Sequence, residues 1–566
     1  MAIRLTAFSG ETPAVNPRLL PDNSAQIAQN VRLERGDLVP MRTSKLAHTF
    51  NADAQTIYLF HGTWLGIPSI ANIVPAPVAE NRLYMTLAEG PPQMLVDGAT
   101  QLGLAVPRPG APPILTTSGT LDTDLSFSII YVTTFVTIYD EESEPSDVSA
   151  SFVVSPNMTV NLGQMEVRTD RGINRRRIYR SQTGTSGSTE FYLVGEQSVA
   201  ATTFSDNLAA NPIQELLPSV DYNPPPDGLK GIVAMPNGIM AAFVGKKLYF
   251  SEPFIPHAWP EKYVLTTDYD IVGLGVVGQS VVVATTGHPY LASGMTPESM
   301  TMERLRVNLP CVSARGIVDL GVGVAYPSTR GLVLVSANGA QIVSQGMMTP
   351  DQWAMLSPER MIASDINGRY AASYVVRDTT YGGVILIDLT GQQPFVLRAS
   401  DSFQAAFTEI GTGRLFVLTD NRKVYEWDAS GAAATEYIWR SKAFVLPEAT
   451  NFGVVLVEGD NTMSPEEQDE NRLRAPGLNL GIEPIGAPPI WLEPAYSSLM
   501  SGGAPPPPGF MAVIYADGKA VARVTTMNRP VRLPGGFAAR QWEVEVRGNQ
   551  RVSLITLANT VSELAV

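Results

Sequence analysis

Apolar and polar positions in this chain alternate over short runs, and turn residues interrupt those runs at near-regular intervals. Between residues 258 and 335, Ile271–Leu274 and Val281–Ala284 are apolar, and Thr286-Gly287 and Ser293-Gly294 break them. Val322–Tyr326 and Leu332–Val335 follow, with Thr329–Gly331 between them. Strands spaced about 10 residues apart and joined by Gly-containing turns predict antiparallel meanders. Several meanders in series predict a β-propeller. The same rhythm appears in 56–95, read as a first blade, and in 238–254, 369–389 and 402–428. Between these parts lies 114–206, where FSIIYVTTFVTIYD alternates cleanly and about seven short strands predict a separate β-sandwich. Two Pro-rich junctions, 105–113 and 223–226, bound it.

The ends of the chain are patterned differently. Residues 1–50 contain Pro13, Pro17, Pro21 and Pro40. They read as an extended, mildly basic arm, which either docks on an acidic neighbour or lies on its own propeller. Within it, 24–32 predicts a short helix capped by Asp22 or Asn23, with Ile27 and Val31 on one face. A second helix is expected at 349–356, with Thr349 at its cap and Pro350 in its first turn. Residues 437–566 predict a C-terminal β-domain. Its 459–509 segment is acidic at first and then rich in Pro and Gly, a composition that cannot build a core. The predicted fold is therefore all-β: a β-propeller from 51–111 and 211–436, a sandwich inserted at 112–210, and the terminal domain.

Composition narrows the function. The 566 residues are 44% hydrophobic but only 17% charged, with 48 Gly and 44 Pro, so turns are many and long helices few. No apolar run approaches the ~20 residues that span a bilayer, and the first residues lack a secretory pattern. The expectation is a protein made in a cytoplasm, with no membrane insertion. The net charge of −14 argues against gripping DNA through its phosphates. It suits ordinary solubility, and also a surface past which DNA slides.

The search for chemistry finds little. The single Cys311 argues against a thiolate zinc site, and His48, His61, His257 and His288 lack metal-ligand spacing. No nucleophile elbow, zinc-protease motif or phosphate loop is present. Asp268 and Asp270 share a strand face and could serve glycosidic cleavage, but exposed turn acids are far commoner. The acidic run 140–147 lacks the ligand spacing of a calcium loop. Arg168, Arg171, Arg175, Arg176, Arg177 and Arg180 cluster in the insert. They read as a solvated strand edge that discourages sheet-to-sheet pairing, with a protein contact or nucleic-acid binding as alternatives. No catalytic residue, metal or cofactor is expected.

Four blocks in order carry a resemblance. They are NPRLLPDNSAQIAQNVRLERGDLVPMR (16–42), the 258–335 block with DIVGL, VVVATTGHPYLASG, CVS and GVAYPSTRGLVLVS, then YIWRSKAFVLPEATNFGVVLV (437–457), and the closing VRLPGGFAARQWEVEVRGNQRVSLITLANTVSEL (531–564). Together they resemble the tail nozzle, or tubular hub, protein of short-tailed bacteriophages. The insert, with YVTTFVTIYDEESEPSDVS, RRRIYRS and FYLVGEQ, resembles a fibronectin III-like β-sandwich. The resemblance implies a structural virion protein, not an enzyme, assembled in the host cytoplasm into the virion tail. It implies a ring of typically six copies below the portal–adaptor, attachment surfaces for tail fibres or spikes, and DNA passing through without specific binding. Segment 459–509 is then expected at the channel as a gate, with Glu466, Glu467, Asp469 and Glu470 repelling phosphates and Pro505 and Pro508 in its stiff end. The rival position is an outer loop that binds a fibre. Other functional classes are a receptor-binding, fibre-like tail protein and a propeller glycan hydrolase.

Overall fold

The computed structural model describes residues 2–33, 35–183, 189–209, 214–389, 394–460 and 509–565. The fold is all-β, and its recurring piece is a meander of four antiparallel strands in nearest-neighbour order, the blade of a β-propeller. The chain divides into two compact units: Met1–Pro68 with Ala284–Pro289 and Leu305–Val566, and Ser69–Val283 with Tyr290–Arg304.

The second unit holds three blades and the inserted sandwich. Its blades span 71–103, 230–266 and 271–304. Tyr84, Met94 and Val96 of the first share a core with Ile232, Met240, Ala242 and Trp259 of the next, although the insert separates them in sequence. Successive blades are also braced by polar contacts. The Tyr263 hydroxyl lies 2.8 Å from Glu252 Oε1 and 2.6 Å from Glu298 Oε1, the latter on the following blade. The sandwich has its own core around Ile129, Tyr131, Val160 and Ile178. In one of its sheets, Tyr131–Thr137 and Thr189–Ser198 flank a central strand, Ile173–Thr183.

The first unit holds blades at 318–342, 362–399 and 405–426, and the short hairpin Thr56–Phe60/Thr63–Ile67. The stretch 56–95, expected as one blade, is therefore split. Its first hairpin forms a two-stranded sheet here, and Arg82–Leu87 belongs to the other unit. The helix Pro350–Ala354 forms where its cap predicts. Gln352 N–H donates to Thr349 Oγ1 at 3.2 Å, and Gln352 Oε1 accepts from Thr349 N–H.

Residues 1–50 are not a separate arm. Ala2–Leu5 pairs with Val552–Ala558 at the other end of the chain. Lys45–Thr49 pairs with Lys423–Glu426 and supplies the fourth strand of that blade. Ala25–Gln29, expected as a helix, is a strand between Phe395–Ala399 and Tyr437–Ser441. Local spacing suited a helix, but two open strand edges offer backbone partners that a short isolated helix cannot match. The C-terminal β-domain is thus built with the N-terminal strands, and one core runs through Leu5, Val31, Leu386, Trp439, Trp542 and Ile555.

A buried ion pair fixes this weave. Glu11 is 1% exposed and Arg398 9%. Glu11 Oε2 accepts from Arg398 Nε at 2.9 Å, and Oε1 accepts from Ala28 N–H at 2.9 Å. Glu11 also exchanges both backbone bonds with Val396. Glu11→Ala strands a buried guanidinium and is expected to cost about 3–5 kcal/mol of stability. Denaturant unfolding checks this, and an unchanged midpoint contradicts it.

Candidate functional site

The densest cluster of buried charge lies in the second unit, where the sandwich meets the blades, and it begins with a serine spacing. Ser143, Ser146 and Ser149 recur every third residue in the run EESEPSDVSA. Their backbone N–H groups donate to Phe135, Thr133 and Tyr131 carbonyls. Their hydroxyls accept from the N–H groups of the same three residues at 2.9–3.1 Å. Every third residue of this segment thus meets every second residue of the strand. The strand edge is closed without a regular ladder, and the two acids ahead of the first serine are drawn inward.

Those acids, Glu141 and Glu142, are about 95% buried. Glu142 Oε1 accepts from Thr134 Oγ1 and Tyr179 O–H, both at 2.7 Å, and Oε2 accepts from Arg177 at 2.7 Å. Burial, with the Glu142 carboxylate second, raises the Tyr179 phenol far above its ordinary value. Glu141 pairs with Arg171 at 2.9 Å, and Arg82 of the first blade lies 3.9 Å from its other oxygen. Arg171 also reaches the Leu104 carbonyl. From the second blade, His257 Nε2 meets the Glu142 carbonyl at 2.9 Å. A carbonyl only accepts, so Nε2 carries the hydrogen and Nδ1 is the bare nitrogen. That Nδ1 is buried and has no hydrogen-bond partner among the described residues. Burial holds the ring below its usual pKa of 6.5.

This geometry corrects one expectation. The first two carboxylates of the acidic run are spent on arginines and hydroxyls, and the arginines are not a solvated strand edge. Arg175, Arg176, Arg177 and Arg180 stand on the central strand of their sheet. Arg177 and Arg175 share Glu196, and Arg175 also holds Asp140. Arg180 pairs with Asp206, which is 0% exposed and also accepts from Tyr131 O–H at 2.7 Å. Arg176, 1% exposed, lies over the Phe135 ring and donates to the carbonyls of Ala201 and Glu166. Composition showed the arginines, but their partners lie up to 35 residues away along the chain (Arg175 to Asp140, Arg177 to Glu142), so spacing alone could not pair them. The serine period was the legible signal that pointed inward.

The remaining candidates fall apart as a catalytic set. Asp268 Oδ2 accepts from Tyr290 O–H at 2.9 Å and pairs with Arg304 at 3.1 Å; the Tyr290 hydrogen bond, then Arg304, holds the carboxyl below its ordinary value. It braces a turn. Cys311 is buried, and burial pushes its thiol up to about 12. Among the described residues no group of three His, Cys, Asp or Glu side chains could hold a metal ion. No helix among them is long and apolar enough to cross a membrane. Glu466, Glu467, Asp469, Glu470, Pro505 and Pro508 lie outside the described residues.

No protein-family model matches the chain, and no curated protein matches it. Solved structures similar to parts of it include BBS1N in complex with ARL6DN, at 9% identity and a TM-score of 0.29, covering 69% of this chain and 99% of that one. The WD40 domain of Neurospora crassa Pan2 matches at 8% identity and 0.24, covering 49% and 86%. An ancestral GH74 enzyme matches at 11% and 0.28, covering 69% and 52%. Likeness at these scores carries no argument about what this chain does.

Two outcomes follow from the seam. Glu142→Gln should cost about 2–3 kcal/mol, below the figure for a fully buried pair because Arg177 is partly exposed and keeps Glu196. Asp140→Asn, whose side chain is 81% exposed, should change the unfolding midpoint negligibly. Equal effects of the two substitutions contradict the buried, paired role of Glu142. For His257 the unfolded chain binds a proton below about pH 6.5 while the folded ring resists it. Stability is therefore full above that pH and falls below it, by up to about 1.4 kcal/mol per pH unit until the folded ring titrates. Denaturant unfolding of the wild type and His257→Gln across this window checks it: the variant should lose that part of the slope, and identical slopes contradict the assignment.

Proposed function

We propose that the chain is a structural subunit of a short-tailed phage tail, forming the nozzle ring below the portal–adaptor. In this role it extends the DNA channel, retains the genome until ejection and offers attachment surfaces for tail fibres or spikes. The observation that carries the reading is the ordered set of sequence blocks at 16–42, 258–335, 437–457 and 531–564. Two physical features support it. A channel wall must bear load without yielding, and the first unit joins both chain ends in one core, with Ala2–Leu5 paired to Val552–Ala558. A wall past which DNA slides must not bind phosphate, and the net charge is −14. Rigid blades present faces that pack head to tail, the geometry of a closed ring.

The partners in this reading are further copies of the chain, portal–adaptor proteins, and fibres or spikes, with DNA a passenger. Segment 459–509 is the proposed gate, and a fibre-binding loop is its rival. Negative-stain imaging of the purified chain, alone and with its virion's adaptor, tests the ring. Closed rings of about six copies are expected. A chain that stays monomeric at every concentration, with and without adaptor, overturns the reading.

A further inference from the structure

Beside the ion-pair seam, a cleft of about 340 Å³ opens between the sandwich and the second blade of the same unit. Tyr139, Asp140, Arg82, Tyr222, Phe254 and His257 line it. We propose that this cleft binds a neutral pyranose, a single sugar ring of a larger glycan. The proposal is independent of the ring reading above.

The first argument is the rim. Phe254 is 56% exposed and has a φ of +60°. It occupies a tight turn in which Ile255 N–H donates to the Glu252 carbonyl. A left-handed position of this kind favours glycine, and a bulky residue there is strained. One side of the ring lies over Gly238, where a Cβ would come within 2.6 Å of it, so only glycine leaves room for the ring. An aromatic at a strained position is more costly than the glycine the turn prefers, and with 56% of it exposed the contact with Gly238 offsets only part of that cost.

The second argument is the charge balance. Asp140 is held by Arg175, Glu141 by Arg171, and Glu142 by Arg177. The Arg82 guanidinium lies 4.8 Å from the Tyr139 ring centroid and faces Glu141. An anion entering the cleft would meet Asp140 and Glu141, and a cation would meet Arg82. A neutral ligand disturbs none of these pairs.

The third argument is the open polar atom. The Tyr222 ring meets His257 edge-on at 6.0 Å. Its hydroxyl makes no hydrogen bond among the described residues, and burial pushes it up to about 12, so it stays a donor. Asp140 keeps an outward-facing carboxylate, 81% exposed, as an acceptor. Aromatic faces with one donor and one acceptor suit a pyranose, whose C–H face is apolar and whose edge carries hydroxyls.

The test uses the full chain and four probes, the methyl glycosides of glucose, galactose, mannose and N-acetylglucosamine, followed by saturation-transfer NMR and calorimetry. At least one should bind saturably. Phe254→Gly relieves the strained backbone, so its melting temperature should stay within about 4 °C of wild type, while affinity falls by about tenfold or more. Tyr222→Phe removes only the hydroxyl and should weaken binding about three- to tenfold. Failure of all four probes to bind overturns the proposal. Binding that survives both substitutions overturns it as well, as does tighter binding of glucose 6-phosphate, a nucleoside or a short peptide than of any neutral sugar.

Discussion

A carboxylate taken out of water must find a cation or several donors, and in this protein those partners stand on other elements. Charge is sparse at 17% of residues, yet Glu11, Glu142, Asp206 and Glu543 are all buried. Each has a cation fixed elsewhere: Arg398, Arg177, Arg180 and Arg440. A hydrophobic core tolerates sliding and repacking, whereas a buried charge accepts one arrangement. Such pairs are weak evidence for net stability. Their effect here is to fix which strand lies beside which: Glu11–Arg398 and Arg440–Glu543 place the N-terminal and C-terminal strands, and Glu142–Arg177 and Asp206–Arg180 order the insert internally.

Much of the fold was legible because blades are local. Each meander joins strands close in sequence, and Val281–Ala284 or Leu332–Val335 announce themselves by apolar runs between glycine turns. The helix Pro350–Ala354 was legible for the same reason, since its cap and its Pro lie within four residues. What stayed hidden depends on distant partners. Nothing near Ala25–Gln29 says that Phe395–Ala399 and Tyr437–Ser441 have free edges beside it, so its local pattern pointed to a helix. The pairing of Ala2–Leu5 with Val552–Ala558 is hidden in the same way.

The site was less legible than the fold. Composition identified the arginines of the insert but assigned them to solvent, because charged residues usually stand there, and it left the acids of 140–147 without partners. The structure joins the two sets. The serine period at Ser143, Ser146 and Ser149 carried the clue: three hydroxyls in register with a buried strand hold the segment against it and turn Glu141 and Glu142 inward. The acids and prolines of 461–508 lie outside the described residues.

The central claim is that the sandwich is fastened to its neighbouring blades by the seam rather than hung from its Pro-rich junctions. Native-state hydrogen exchange on the intact chain tests it most directly. The amides of Thr133, Phe135, Ser143 and Ser146 should open together with those of Met240–Val244 in the adjoining blade, as one cooperative unit. Exchange of the sandwich amides at a much lower opening free energy, while the blade stays protected, would contradict the account.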